Sequence, residues 1–250
     1  SAPALLYGYG SYGSSEQPYF KPRLKLWLEQ GGIYVDASVR GGGEYGEAWH
    51  AAARLGTKKV SMDDFAACAR YLVEKRYTSK EKLAIEGGSA GGLLVYGTLV
   101  HYPEIMQAAV AHVGYGDVLR TELAPNGEFN TTEFGTVKDS TQFLGMYGYS
   151  PYHHVKDGAR YPSILALTGV NDPRVPAWET FKMVARLQAS GSRNPVLMRV
   201  TYDFGHGIGT ALSERDQQTA DVLMFLFDRL GVKYQPVPRE PRSGKSVPSL

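Results

Sequence analysis

Two rhythms of apolar residues alternate along this chain. Short, largely apolar runs at residues 4–7, 33–39, 83–85, 108–113 and 163–170, and an alternating run at 196–202, read as strands. Between them the apolar positions take helical spacing: Leu24, Trp27 and Leu28 within 20–30, Phe65, Cys68, Ala69 and Leu72 within 63–74, a continuous apolar run at 93–100, and residues 177–190. A last helix over 213–230 carries Val222, Phe225, Leu226 and Leu230 on one face. Gly31-Gly32, Gly191 and Gly231 follow three of these segments as stop signals. Ser61 with Asp64 three positions on predicts a helix N-cap. Alternating strand and helix predicts an α/β fold, a mostly parallel sheet covered by helices on both faces. Residues 114–161 break the rhythm and read as a long irregular insertion of the kind that covers or lines a site.

One stretch organises the rest. Residues 83–85 form a strand-like run, Gly87-Gly88-Ser89-Ala90-Gly91 is a turn, and a helix opens at once. A serine at such an apex is held in a strained conformation, and glycines on either side let strand and helix backbones approach. This is the Gly-x-Ser-x-Gly nucleophile elbow. A chain with 29 glycines can produce that spelling by accident, so the strand before it and the helix after it carry the reading.

Composition narrows the classes. The 250 residues, 43% hydrophobic and 21% charged, suffice for a substantial single core. A net charge of +2 without a basic block gives no electrostatic reason for nucleic acid or an anionic membrane as partner, so a small polar or neutral substrate fits better. The lone Cys68 cannot form an internal disulfide and reads as core packing. No run reaches the ~20 apolar residues of a membrane span, and no secretory signal is legible. A soluble chain in a cytoplasmic setting is the expectation, although a start at Ser1 leaves room for a lost address. Residues 1–233 read as the catalytic domain and 234–250, rich in proline and basic residues, as a tail.

Two glycine loops precede the elbow in sequence. Residues 8–15 alternate glycine with Tyr9 and Tyr12, which suits a shaped pocket wall better than a linker. Gly41-Gly42-Gly43 resembles a phosphate cradle, but Glu44 and Glu47 follow it instead of Lys and Ser/Thr, which argues against a nucleotide.

Ligands of open α/β sheets bind beyond the carboxyl ends of strands, and Ser89, Asp172 and His206 each fall just past one. Their order, Ser then Asp then His, is that of an α/β-hydrolase. A serine hydroxyl needs a neutral imidazole to take its proton, and the imidazole needs a carboxylate to fix its tautomer. His206 is the expected base and Asp172 its orienter, with Asp203 the rival acid. His50, His101, His112, His153 and His154 read as structural. No metal-ligand spacing occurs, so no metal is called for. An oxyanion hole requires two donors. The Ala90 N–H is the natural first, and the second should come from the Gly/Tyr loop.

With LLYGYGSYG, VRGGGEYGEAWH, GGSAGGLLV, YSPYHHV, LTGVNDPRVP and GHGIG in register, residues 5–231 resemble the catalytic domain of the prolyl oligopeptidase family of serine peptidases. The resemblance implies Ser89, Asp172 and His206 as the triad, the Tyr9 hydroxyl as second oxyanion donor, and Arg174 as the group holding a substrate carbonyl. It places Tyr12 and Val175 in the apolar pocket and implies no cofactor. The family's prolyl enzymes stack the substrate proline on a tryptophan before a Thr-Thr-acid-aromatic-Gly run. Here Phe129-Asn130 precede Thr131-Thr132-Glu133-Phe134-Gly135, and Phe129 replaces that ring only if the register slips. Family members also carry a β-propeller and first strands ahead of LLYGYG, neither of which falls within these 250 residues. Residues 33–39 should then be an exposed apolar edge, with self-association through that edge or the tail. A stand-alone carboxylesterase and an inactive fragment or interaction domain are the rival readings.

Overall fold

In a computed structural model that describes residues 1–202, 205–207 and 210–236, six strands form one all-parallel sheet. They are β1 (Ala4–Gly8), β2 (Ile33–Ala37), β3 (Leu83–Gly88), β4 (Ala108–His112), β5 (Ser163–Gly169) and β6 (Val196–Thr201), in the order β2-β1-β3-β4-β5-β6. The helices are α1 (Pro22–Glu29), α2 (Glu47–Ala51), α3 (Lys59–Glu74), α4 (Ala90–His101), α5 (Gly127–Phe134), α6 (Ser140–Tyr149), α7 (Pro151–His154), α8 (Ala177–Ala189) and α9 (Leu212–Leu230).

Successive residues of a strand face opposite sides, and both sides here are apolar. Leu5, Ala84, Ala108, Val110 and Leu165 pack under Trp27 of α1 and Val222, Leu226 and Leu230 of α9. Leu6, Ile85, Ala109, Ala111 and Ile164 pack under Phe65 of α3, Leu93 and Leu99 of α4, and Met183 and Leu187 of α8. Double coverage explains why the central strands read as continuous apolar runs without alternation. It also explains α4, whose residues 90–100 are all buried and which therefore has no polar face.

The chain runs from β1 out to β2, then crosses back to β3 on the other side of β1 and proceeds outward. The order of travel reverses between β1 and β3, and such a switch point opens a crevice at the carboxyl ends. β1 ends there in the Gly/Tyr loop and β3 ends there in Ser89.

The structure corrects two expectations. α3 begins at Lys59, so Ser61 is an interior helical residue and not an N-cap. Its hydroxyl donates to the Arg40 carbonyl at 2.6 Å, with the Gly10 carbonyl also within reach at 3.1 Å, and Asp64 accepts from the Arg40 guanidinium at 2.7 Å. Carbonyls of the two glycine loops claim the group expected to cap. Residues 114–161 are not irregular, since they contain α5, α6 and α7. Helices of one to three turns are too short to display a period.

β2 is one edge of the sheet, with Ile33, Tyr34 and Val35 half-buried and Asp36 exposed. Tyr234 stacks on Phe227, and Gln235 exchanges hydrogen bonds with Gln30, so the first tail residues lie against α9 and α1. The rest of the tail lies outside the described residues. Among the described residues no helix is long and apolar enough to cross a membrane.

Candidate active site

The elbow has a measurable steric cause. A Cβ on Gly87 would stand 2.4 Å from the Gly91 carbonyl oxygen and 2.8 Å from that of Gly8, and a Cβ on Gly91 would stand 2.6 Å from the Gly8 oxygen. The ends of β1 and β3 and the first turn of α4 thus meet backbone to backbone. Ser89 itself sits at φ 58°, ψ −120°, a conformation that a residue with a Cβ adopts only when its surroundings impose it. Its N–H donates to the His112 carbonyl at 2.8 Å.

His206 completes the constellation. The Ser89 hydroxyl donates to His206 Nε2 at 3.0 Å, and His206 Nδ1–H donates to Asp172 Oδ2 at 2.7 Å. Asp172 is buried, and its other oxygen accepts the backbone N–H groups of Arg174 (2.8 Å) and Val175 (2.9 Å). That division of labour fixes the carboxylate in place while leaving one oxygen for the imidazole. Asp203 lies outside the described residues. The other histidines have different company: His50 bonds Glu133, His112 bonds Glu86, and His153 and His154 bond Ser150. Burial, then the neighbouring His154, depresses the His101 imidazole to about 4.

Ala90 opens α4, and the first N–H groups of a helix have no acceptor within it. Tyr9 arrives from the end of β1, with its ring against the site where a Gly91 side chain would be. Burial raises its hydroxyl above the ordinary phenol value, Glu133 adds to that, and the adjoining Ser89 hydroxyl and the Arg174 charge oppose it. The phenol therefore keeps its proton as a donor. The loop carrying it is anchored from below. Gly41 and Gly43 lie so close to it that a Cβ on either would meet the carbonyl oxygens of Gly10 and Gly13 at 2.2 and 2.1 Å. The Gly triplet serves this approach, which accounts for a cradle-like sequence without a nucleotide.

Lys58, buried, donates to the Gly10 carbonyl (2.7 Å) and to Glu133 (2.8 Å), and Glu133 also bonds His50. Buried Lys58 and Glu133, with half-buried His50, join the Tyr9 loop to α5. Sequence reasoning misses this link, because a lysine, a glutamate and a histidine so far apart along the chain carry no spacing signal.

The expected pocket residues cluster around Tyr12. Its ring stacks on Phe129 at 5.5 Å and meets Phe134 edge-on at 5.6 Å. Its hydroxyl donates to buried Asn130 at 3.0 Å, and the Asn130 amide donates to Tyr115 at 3.2 Å. Tyr115, overlooked in the sequence, follows the end of β4 and is findable by the same strand-end rule that selects the triad. Val175 is buried beside Asp172, whereas Arg174 is exposed, as is Phe129 at 62%. Among the described residues no group of three or more His, Cys, Asp or Glu is placed to hold a metal ion.

A parallel six-stranded sheet with helices on both faces and a serine elbow at the switch point is the α/β-hydrolase fold. Residues 18–233 match the Prolyl oligopeptidase family, and the chain belongs to that family. It is 40% identical over 233 residues to the prolyl endopeptidase of Elizabethkingia meningoseptica, covering 92% of this chain and 33% of that protein. It is 37% identical over 236 residues to protease 2 of Moraxella lacunata, covering 93% and 34%. Among solved structures, a chain from a study of two prolyl endopeptidases superposes with a TM-score of 0.91 at 40% identity, covering 93% of this chain and 34% of that one. Oligopeptidase B of Leishmania major gives 0.89 at 33% identity, covering 92% and 33%. The chain spans about a third of the length of these relatives.

Proposed function

We propose that this chain is a serine peptidase catalytic domain that cleaves short peptides through an acyl-enzyme on Ser89. The observation that carries the reading is the continuous hydrogen-bonded line from Ser89 through His206 to Asp172. His206 Nε2 takes the hydroxyl proton as Oγ attacks the scissile carbonyl, and it then gives the proton to the leaving amine. Asp172 holds the tautomer and stabilises the imidazolium. The carbonyl oxygen, now negative, lies between the Ala90 N–H and the Tyr9 hydroxyl. Water activated by His206 releases the acyl group.

Arg174 stands exposed beside this centre and suits a substrate backbone carbonyl, which favours peptide over simple ester. The relatives named prolyl endopeptidase support a preference for proline. The wall that would receive it differs from the family's tryptophan: Phe129 stacked on Tyr12, above the Tyr12–Asn130–Tyr115 hydrogen bonds.

The test is paired hydrolysis of a blocked Gly-Pro anilide and a short-chain p-nitrophenyl ester, with labelling by a fluorophosphonate. Ser89→Ala should lower turnover on the order of 10⁶-fold. Anilide turnover that survives Ser89→Ala refutes the mechanism. Ester turnover alone makes the chain an esterase, and absence of labelling makes it an inactive domain.

A further inference from the structure

The geometry points to Glu86 and His112 as positioning residues that hold the nucleophile in its strained turn, with Arg23 as the counter-charge that permits it. This rests on the serine-hydrolase reading of Ser89. A non-glycine residue at φ 58° persists only where its surroundings over-determine it. Within the elbow itself, the close glycine contacts exclude side chains but do not grip the serine. The grip is the Ser89 N–H bond to the His112 carbonyl, one residue beyond the last register pair of β3 and β4, Gly88 with His112. The Val113 N–H of that same planar peptide group donates to the Leu167 carbonyl of β5 at 2.7 Å, and Val113 then bends sharply at φ 44°.

A further hold comes from the His112 ring. Nε2–H donates to Glu86 Oε1 at 2.8 Å, and Glu86 lies three residues before Ser89 on β3. Backbone and side chain of His112 therefore clamp the end of β3 at two points. Arg23 Nη1 of α1 donates to the same Glu86 oxygen at 2.6 Å. Burial alone would raise the Glu86 carboxyl, but Arg23 and then His112 outweigh it and bring it to about 2, so the acceptor is a full carboxylate. A charge wholly buried in a central strand is costly, and breaking such a group's pairing costs more than an apolar residue in its place would. A leucine would suit the sheet, but it could not orient the histidine. His112 also lines, with Gly205, His206 and Gly207, the small cavity under the loop that carries the base. One residue thus borders both partners of the proton transfer.

The experiment compares wild type with His112→Leu, His112→Gln and Glu86→Gln in the full chain. It follows the rate of fluorophosphonate labelling and the hydrogen exchange of the Ser89 amide. In folded His112→Leu, labelling should slow about tenfold to a hundredfold, the scale of a small misplacement of a reacting group. Ser89 exchange should rise about tenfold, while Val95 to Leu99 of α4 keep their protection. The His112→Gln variant keeps an N–H for Glu86 and should restore most of both. If His112→Leu fails to fold, Glu86→Gln should show the same pair of effects more weakly. Unchanged Ser89 exchange in the folded variants overturns the clamp whatever the activity. Raised exchange in a protein whose wild type never labels keeps the clamp and instead defeats the hydrolase reading.

Discussion

Asp172→Asn separates the two tasks of the aspartate. Oδ1 accepts two backbone N–H groups and Oδ2 accepts the His206 Nδ1 proton. An asparagine has one acceptor and one donor end. The two amides fix its oxygen toward Arg174 and Val175, which aims its NH₂ at His206 Nδ1. Two donors cannot face each other, so the imidazole moves its proton to Nε2 and becomes unable to accept from Ser89. Loss of the correct tautomer costs roughly 10⁴-fold in kcat, and that corresponds to about 5.4 kcal/mol of barrier at ~1.36 kcal/mol per decade. The loop itself keeps both amide bonds, so stability should fall by only about 1 kcal/mol. Steady-state kinetics on the anilide and a thermal melt measure the two quantities side by side. A folded Asp172→Asn within tenfold of wild type would refute the tautomer assignment. A variant losing most of its stability would show instead that charge, and not acceptor count, secures the loop.

Tyr9→Phe should lower kcat about 10²- to 10³-fold with little change in KM, because the hydroxyl acts on charge formed only during reaction; equal losses in binding would contradict that. Gly87→Ala places a Cβ 2.4 Å from the Gly91 oxygen and should destabilise by about 1–3 kcal/mol in a denaturant melt. Lys58→Ala strands Glu133 with only His50 and should cost about 3–5 kcal/mol, whereas Lys58→Met with Glu133→Leu should recover much of it; equal losses would argue against a desolvated pair. Burial raises the Glu179 carboxyl to about 8, against the N–H bonds it accepts from Asp117 and Gly116. The native state then holds a proton that the unfolded chain releases near 4.5, so this contribution to stability is full below that pH and is lost as pH rises through about 8. Glu179→Gln, which still accepts both N–H groups, should flatten that decline in melting temperature.

The strands are legible because burial on both faces leaves uninterrupted apolar runs, and Leu83–Gly88 with its glycine turn announces the serine. Ser89, Asp172 and His206 can be chosen because parallel topology collects strand ends at one edge, a rule that needs no knowledge of contacts. Tyr115 satisfies the same rule, but it stands at the head of residues 114–161, a stretch without a legible period. Ser61 misleads because its local spacing suits a cap while two carbonyls of distant loops compete for its hydroxyl. Lys58, Glu133 and His50, like Arg23, Glu86 and His112, come from different elements, and only the folded sheet brings them within bonding distance.

The backbone contact among Gly8, Gly87 and Gly91 bears on how the molecule comes apart. These residues belong to the first and third strands and to the helix between the third and fourth, and no side chain stands between them to act as a spacer. Neither strand can retreat without withdrawing the neighbour against which the serine turn is pressed. The serine turn is therefore not a detachable loop but part of the most cooperative unit of the sheet. During a urea titration, hydrolytic competence and sheet structure should vanish at one midpoint, and an enzyme population that is folded yet locally disarmed should never accumulate.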